Sequence, residues 1–191
     1  MSVSQKVLVL GLGASGRTAA RFYASRGFEV LAADTRPQPP KLEELQQEIA
    51  NLRFLGAQVT PETAAEVSEV MISPGLSPEY SVFAPVVKEA RQHGIPVVGE
   101  IELFARELKK LKAESGYAPK IIGITGTNGK TTTTMLSTAI IAEAGRSVVA
   151  AGNVGPNALG ELEKHRLAGT LPDFWVLELS SFQLETTESL H

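Results

Sequence analysis

The sequence has no cysteine, so disulfide bonds and thiolate metal sites are excluded throughout its 191 residues. No apolar run approaches the roughly 20 residues that a membrane-spanning helix needs. The segment Met1–Lys6 also lacks the charged and apolar regions of a signal peptide. The formal net charge is −3, without the positive excess that attracts nucleic acid or anionic lipid. These absences predict a cytoplasmic protein with no nucleic-acid and no membrane partner.

The hydrophobic content of 43% and the charged content of 20% are ordinary for a globular chain. Short apolar segments alternate with helical patterns along the whole chain, which predicts parallel βαβ units and therefore an α/β fold. The predicted strands cover residues 6–10, 28–33, 70–72, 95–98, 148–151 and 175–179, and a further strand begins at Lys120. The predicted helices cover residues 15–26, 42–50, 102–112 and 130–144, and another helix ends at Arg91.

The pattern predicts two domains joined by a linker. Residues 1–113 form the predicted first domain, residues 114–119 the linker, and residues 120–191 the beginning of a second α/β domain. Residues 36–40 are a predicted loop, because their prolines fit neither a helix interior nor a strand ladder. The lysine- and arginine-rich helix at 102–112 is interpreted as a solvated surface.

A glycine-containing loop followed by a lysine lies at the start of the second domain. Gly126 and Gly129 allow backbone N–H groups to point inward, and the N-terminus of the next helix favours anions. Lys130 can then reach the β- and γ-phosphates of a nucleotide, and Thr131 can offer its hydroxyl to magnesium. Residue Ile124 stands where the general phosphate-loop pattern has glycine. The pattern favours an ATP site, and the alternative is a tight strand-to-helix turn with an exposed lysine.

A second glycine motif, Gly11–Gly16, follows the first predicted strand and opens a helix. Gly11 would permit the tight turn, Gly13 the close approach of a phosphate, and Gly16 close packing of helix on strand. Asp34 closes the second strand and would accept hydrogen bonds from a ribose hydroxyl or a base N–H. This arrangement predicts a nucleotide-like ligand without identifying it as NAD. Glycines that only shape the turn are the alternative.

Taken in order, these motifs resemble the Mur ligases of peptidoglycan synthesis, and within them the branch that adds D-glutamate. The resemblance covers essentially the whole chain from the first strand onward. It rests on Gly11–Gly16, Asp34-Thr35-Arg36, Ser73-Pro74-Gly75, Gly99–Phe104, Gly126–Thr131, Gly152–Gly155 and Leu177–Glu185. The family's ATP loop has a shorter form, which accounts for Ile124. The resemblance implies a Rossmann-like UDP-binding domain with a parallel sheet, followed by the start of a P-loop-type ATP-binding α/β domain.

The same resemblance implies where the UDP-sugar binds. Asp34 and Arg36 would read the two edges of the uracil amide, and the segment around Gly75 would lie near the pyrophosphate. Asn153 would contact the alanyl or muramoyl portion of the substrate. The full implied set is Gly13, Ala14, Ser15, Asp34, Thr35, Arg36, Ser73, Pro74, Gly75, Asn153, Ser180 and Gln183. For Ser180 and Gln183, turn and helix-cap roles are the alternative.

The resemblance also implies an ATP and magnesium site. Its residues are Gly126, Thr127, Asn128, Gly129, Lys130, Thr131 and Thr132 for ATP, and Thr131 with Glu178 for Mg²⁺. Lys130 is the implied catalytic residue, because it would neutralise phosphate charge. Glu178 is the one charged residue in an apolar stretch, where a carboxylate needs a cation or hydrogen bonds. A strand-edge acid facing water is the alternative for Glu178.

The implied reaction joins D-glutamate to UDP-N-acetylmuramoyl-L-alanine at the expense of ATP, through an acyl phosphate. Because relatives continue through more of the ATP domain and a third domain, this chain is expected to be a monomeric N-terminal part that binds substrate without completing catalysis. None of His93, His165 (in a predicted polar loop) and His191 is a catalytic candidate. Three alternatives stay open: another ligase of the superfamily, an NAD-binding oxidoreductase, and a non-catalytic UDP-sugar-binding module.

Overall fold

The computed structural model describes residues 5–190, and the chain divides between Glu100 and Ile101 into two compact units. Residues 1–4 and His191, which the two predicted domains include, lie outside the described residues. Each unit has its own parallel sheet with helical crossovers. The α/β fold predicted from the alternating pattern is therefore confirmed.

The first unit contains a five-stranded parallel sheet in the order β3-β2-β1-β4-β5. Its strands are β1 (Lys6–Leu10), β2 (Glu29–Ala33), β3 (Leu52–Phe54), β4 (Glu69–Ile72) and β5 (Val97–Val98). Its helices are α1 (Ala14–Ser25), α2 (Leu42–Glu48), α3 (Glu62–Ala65) and α4 (Ala84–Gln92). The central strand β1 is fully buried from Val7 to Leu10, because helices cover both faces of a parallel sheet. Leu8 of this strand belongs to a hydrophobic core with Leu31 and Phe83.

The second unit contains a three-stranded parallel sheet in the order β6-β8-β7. Its strands are β6 (Lys120–Ile124), β7 (Val148–Gly152) and β8 (Phe174–Glu178). The helices are α5 (Glu100–Ser115), which crosses the division, α6 (Lys130–Glu143), α7 (Ala158–Ala168) and α8 (Ser181–Glu185). Trp175 in β8 is fully buried and packs edge-on against Phe104 of α5, with 5.1 Å between ring centroids. This aromatic pair explains why most of α5 groups with the second unit.

Four short or weakly patterned elements, β3, α3, α7 and α8, were not predicted. His165 lies within α7, so the predicted polar loop there is wrong. The predicted linker is also partly helical, since α5 continues to Ser115, and Tyr117 is hydrogen-bonded into the second unit. The predicted domain boundary at residue 113 stays a prediction. Among residues 5–190, no helix is long and apolar enough to cross a membrane.

Candidate functional site

A cleft of about 290 Å³ lies in the first unit beyond the carboxyl ends of β1, β2 and β4. The strand order reverses at β1, with β2 on one side and β4 on the other, and such switch points are where α/β sheets bind ligands. The lining contains all nine predicted UDP-site residues of this unit, together with Gly11 and Leu76. These nine are Gly13, Ala14, Ser15, Asp34, Thr35, Arg36, Ser73, Pro74 and Gly75.

The glycine turn that forms one wall of the cleft depends on two glycines in particular. Gly11 has φ +87°, and a Cβ there would lie 2.8 Å from Leu76 Cδ1. A Cβ on Gly16 would lie 1.8 Å from the carbonyl oxygen of Gly11, so only glycine allows α1 to start so close to β1. Ser73 Oγ donates to the same Gly11 oxygen at 3.2 Å and joins the β4 loop to the turn. These contacts are consistent with the turn and packing roles predicted for Gly11 and Gly16.

Asp34 and Arg36 form a bidentate ion pair on the opposite wall. Arg36 Nε donates to Asp34 Oδ1 and its terminal nitrogen to Oδ2, both at 2.8 Å. The Arg36 backbone N–H donates to Oδ1 at 2.9 Å, and the Leu12 N–H donates to Oδ2 at 2.7 Å. The Asp34 carboxylate is 2% exposed, and all of these donors belong to the protein. Its role in this structure is therefore to orient Arg36, whose side chain is about half exposed.

The pKa of Asp34 reflects two opposing effects. Burial by itself raises the pKa of the carboxyl group, but the hydrogen bonds from the Arg36 side chain and from the Arg36 and Leu12 N–H groups lower it, as does the Arg36 charge. The result is a pKa of about 2 instead of 3.8. The pair is therefore fully ionised at neutral pH, with a flat guanidinium held at the edge of the cleft.

The loop between β6 and α6 forms the second candidate site. Residues 125–129 are exposed and lead to Gly129, which has φ +76° and precedes the first residue of α6. Gly126, with φ +138°, is the second residue of the loop in a conformation that favours glycine. The Lys130 ammonium group donates to the Gly126 carbonyl oxygen at 2.7 Å and so lies across the loop. The predicted ATP residues Thr127, Asn128 and Thr132 lie in this exposed loop and first helical turn.

The two predicted magnesium ligands come together although they are 47 positions apart. Thr131 Oγ1 donates to Glu178 Oε2 at 2.9 Å. Glu178 ends the central strand β8 and is 2% exposed, so it is not a strand-edge acid facing water. Mg²⁺ in nucleotide sites takes one or two protein oxygen ligands and completes its shell with phosphate and water. A hydroxyl and a buried carboxylate beside a phosphate-type loop fit that requirement.

Asn153 lies at the same edge of the second sheet as Glu178. Its backbone N–H donates to the Glu178 carbonyl oxygen at 2.7 Å. Gly152, with φ +120°, makes this possible, because a Cβ there would lie 2.3 Å from that oxygen. Asn153 itself is exposed, and its backbone hydrogen bond holds it beside the carboxyl end of β8.

Ser180 and Gln183 are used inside the protein. Ser180 Oγ accepts the Gln183 N–H at 3.3 Å, and Gln183 Oε1 accepts the Ser180 N–H at 3.0 Å. This reciprocal capping box fixes the start of α8 just after Glu178. The helix-cap interpretation of these two residues is therefore observed in the structure, and a substrate contact by either stays a prediction.

Sequence reasoning missed two residues that hold together the glycine turn and the Arg36 loop beside the first cleft. Leu12 contributes through its backbone, which carries no side-chain signal. Arg17, in the first turns of α1, donates to the Leu12 carbonyl oxygen at 2.8 Å. A cation one residue past a glycine motif was the signal available for Arg17.

Comparison with known proteins gives a family context to these sites. The N-terminal domain of MurD-like Mur ligases matches residues 5–99, and the Mur ligase middle domain matches residues 124–191. UDP-N-acetylmuramoylalanine--D-glutamate ligases of Cupriavidus pinatubonensis and Ralstonia nicotianae are 53% and 52% identical to the chain over 184 residues. Each alignment covers 96% of this chain and 37% of the relative, so the chain spans little more than a third of their length.

Among solved structures, a pseudomurein peptide ligase type C from Methanothermus fervidus aligns over 98% of this chain and 36% of its own, with TM-score 0.48 and 20% identity. The family assignment rests on the sequence matches instead. The two matched domains follow one another along the chain, and between them they include both candidate sites. The chain belongs to the Mur ligase family.

Proposed function

We propose that this chain forms the UDP-substrate-binding part and a portion of the ATP-binding part of a ligase that adds D-glutamate to UDP-N-acetylmuramoyl-L-alanine. The observation that carries the proposal is the 53% identity, over 96% of the chain, with a ligase of that name. The Asp34–Arg36 ion pair in the first cleft, and the Thr131–Glu178 hydrogen bond beside the loop that carries Lys130, support it from the structural side.

In the first unit, the flat guanidinium of Arg36 is the group that recognises the base. Because Asp34 holds one edge of the guanidinium through Nε and a terminal nitrogen, the exposed face of Arg36 is available for stacking on a planar uracil ring. The glycine turn brings backbone N–H groups and the N-terminus of α1 to the same cleft, where they favour the pyrophosphate. These features match a uridine diphosphate better than an uncharged sugar.

In the second unit, Lys130 would bind the ATP phosphates, and Thr131 with Glu178 would hold a magnesium ion. Lys130 leaves the Gly126 carbonyl oxygen and turns to the phosphate, a stronger acceptor for an ammonium group. Magnesium, when bound there, would neutralise charge on the transferred phosphoryl group. Glu178 is already buried and hydrogen-bonded at the end of a central strand, so its carboxylate requires little rearrangement.

The reaction activates a carboxylate, which is a poor acyl donor. The substrate carboxylate attacks the γ-phosphorus of ATP, giving an acyl phosphate and ADP. The amine of D-glutamate then attacks the acyl carbon, phosphate leaves, and an amide forms. The chain's own contribution is to bind and orient the two nucleotides and to place the Lys130 charge beside the reacting phosphate.

Calorimetric titration of the chain with UDP-N-acetylmuramoyl-L-alanine, with NAD as the control ligand, tests the proposal. Saturable binding of the UDP-sugar without binding of NAD is expected. Binding of NAD alone would overturn the ligase assignment and make Asp34 a ribose-binding acid. The four internal hydrogen bonds to Asp34 count against that second outcome, because they leave its oxygens committed to protein donors.

A further inference from the structure

Arg17 lies on the first turns of α1 and makes contacts that neither motif explains. Its guanidinium donates from one nitrogen to the Leu12 carbonyl oxygen at 2.8 Å and to the Pro40 carbonyl oxygen at 3.4 Å. Leu12 is fully buried within the glycine turn, whereas Pro40 lies at the far end of the loop that carries Arg36. Arg17 thus connects the turn to the end of that loop.

The loop is attached at both of its ends to the backbone of one residue of the turn, Leu12. At its start, Asp34 accepts the N–H of Leu12 at 2.7 Å. At its end, Pro40 is joined through Arg17 to the carbonyl oxygen of the same residue. From Asp34 to Pro40 the chain contains three prolines, Pro37, Pro39 and Pro40, which restrict φ and stiffen the segment. Arg36 is therefore presented by a loop whose geometry depends on both attachments.

The charges near the cleft lead to a second consequence. The Asp34 carboxylate is neutralised by Arg36, with which it forms a bidentate pair. Within residues 5–190, Arg17 forms no ion pair with a carboxylate. Asp34, Arg36 and Arg17 together thus carry one net positive charge, and Arg17 contacts the glycine turn, which itself favours anions.

We propose that Arg17 is a positioning residue of the nucleotide cleft, which closes the Arg36 loop onto the glycine turn and supplies the net positive charge that selects a nucleoside diphosphate over a nucleoside. This inference rests on the proposed function for its ligand, but its structural part, the closing of the loop, can be tested without any ligand. Arg17 acts through Leu12 and Pro40 and touches no reacting atom.

The first experiment measures amide hydrogen exchange by NMR in the free chain. Arg17→Met keeps the aliphatic length of the side chain but has no hydrogen-bond donor. In this variant the Arg36 amide is expected to exchange about tenfold faster or more. The loop that carries Arg36 is then no longer attached at Pro40, so the hydrogen bond from the Arg36 N–H to Asp34 opens more often. Arg21→Met is the matched control: it removes the same charge from α1, where Arg21 pairs with Glu48 and not with the turn. Unchanged exchange at Arg36 in Arg17→Met would overturn the proposal.

The second experiment compares UDP with uridine as probes. UDP affinity is expected to fall about tenfold in Arg17→Met and uridine affinity by less than threefold, and Arg17→Lys is expected to restore most of the UDP affinity. Equal losses for both probes, or none, would overturn the charge-selection part. If the unaltered chain binds neither UDP nor the UDP-sugar, the proposed function fails while the exchange experiment still decides the role of Arg17.

If Arg17→Met does not fold, Arg17→Lys is examined by the same measurement of amide exchange at Arg36. Intermediate protection of this amide would support the proposal, and wild-type protection would oppose it.

Discussion

Asp34 and Arg36, two positions apart in the sequence, form one bidentate ion pair in the structure. Asp34 is buried, Arg36 is about half exposed, and the pair is fastened to the glycine turn through Leu12. A buried carboxylate with this many donors stabilises the fold only while it is ionised. The consequence is a pH dependence that belongs to a single residue.

The stability that Asp34 contributes should disappear in acid. Its pKa in the folded protein is about 2, below the ordinary 3.8, so the contribution is fully present above about pH 4 and is lost as the pH falls through about 2. The difference corresponds to about 2 kcal/mol. Urea denaturation of the wild-type chain and of Asp34→Asn should therefore give free energies of unfolding that differ at neutral pH and converge toward pH 2. Parallel curves across this range would contradict the assignment.

Three residues, Ser180, Gln183 and Arg17, show which contacts the sequence did not reveal. The sequence identified Ser180 and Gln183 by their motif, but their side chains cap α8 in the structure. Conversely, Arg17 was overlooked, since its partners Leu12 and Pro40 accept through backbone carbonyl oxygens that no side-chain pattern reveals. Hydrogen bonds to backbone atoms depend on the path of the chain, which single residues do not specify.

Among the elements, the junction of β1 and α1 has the strictest geometry. The helix starts so close to the strand that a methyl group on Gly16 would overlap the Gly11 carbonyl oxygen. Gly13, in contrast, has φ −67° and would place a Cβ 3.9 Å from its nearest neighbour, Ser73 Oγ. Two glycines of one motif thus have different structural requirements.

Gly16→Ala should destabilise the first unit by about 2–3 kcal/mol, because the backbone must move to relieve the overlap. Gly13→Ala is the matched control and should change the free energy of unfolding by no more than about 0.5 kcal/mol, since its φ and its surroundings accept a methyl group. Urea denaturation followed by circular dichroism measures both. Similar effects from the two substitutions would show that the close approach at Gly16 is not the cause.

The phenol group of Tyr117 anchors the segment after α5 within the second unit. Tyr117 donates to the Pro172 carbonyl oxygen at 2.7 Å and accepts the Trp175 indole N–H at 3.0 Å. Trp175 is fully buried, so its N–H has no access to water. The predicted linker is thus an attached segment of the second unit.

Tyr117→Phe should therefore lower the stability of the second unit by about 1–3 kcal/mol, the cost of leaving a buried donor unpaired. Fluorescence of Trp175, the single tryptophan of the chain, reports this unfolding directly. Tyr80→Phe provides the control, since Tyr80 is 87% exposed. A Tyr117→Phe transition at the wild-type urea concentration would rule out this role for the phenol.

Elements with a clear apolar pattern were predicted, including the short strands β4 and β5, and elements without such a pattern were not. Strand β1 was predicted with its observed bounds, Lys6–Leu10, because a continuous apolar run between turn signals has few alternatives. Strand β3 has three residues and α3 four, too few to establish a period. In α7 the buried residues Ala158, Leu159 and Leu162 are mixed with charges, so the helical face is weak in the sequence.

On the scale of the whole molecule, the chain contains two units, each with a parallel sheet and a candidate nucleotide site at the carboxyl ends of its strands. Arg36 belongs to the site of the first unit and Lys130 to that of the second. If the proposed function is correct, each site binds a different nucleotide, and each can be removed alone.

A pair of substitutions tests this separation. Lys130→Met should weaken binding of ATP by at least about tenfold, or 1.4 kcal/mol, and leave the affinity for UDP-N-acetylmuramoyl-L-alanine unchanged. Arg36→Met should weaken binding of UDP-N-acetylmuramoyl-L-alanine and leave the affinity for ATP unchanged. Isothermal titration of both ligands against both variants measures the four affinities. Lys164→Met serves as the control, because Lys164 is an exposed lysine of α7 paired with Glu161. Loss of both ligands in either single variant would contradict two separate sites.

The sequence alone determined the α/β class, the two glycine turns and the residue types at the ends of the predicted strands. These are local properties: apolar periodicity sets strand and helix, and positive φ values require glycine within a few residues. Tertiary structure decided which strand ends meet. Crossovers bring the Leu12 N–H to Asp34 over 22 positions and the Thr131 hydroxyl to Glu178 over 47. Contacts at such separations follow from strand order and from the packing of helices on both sheet faces, which no local pattern encodes.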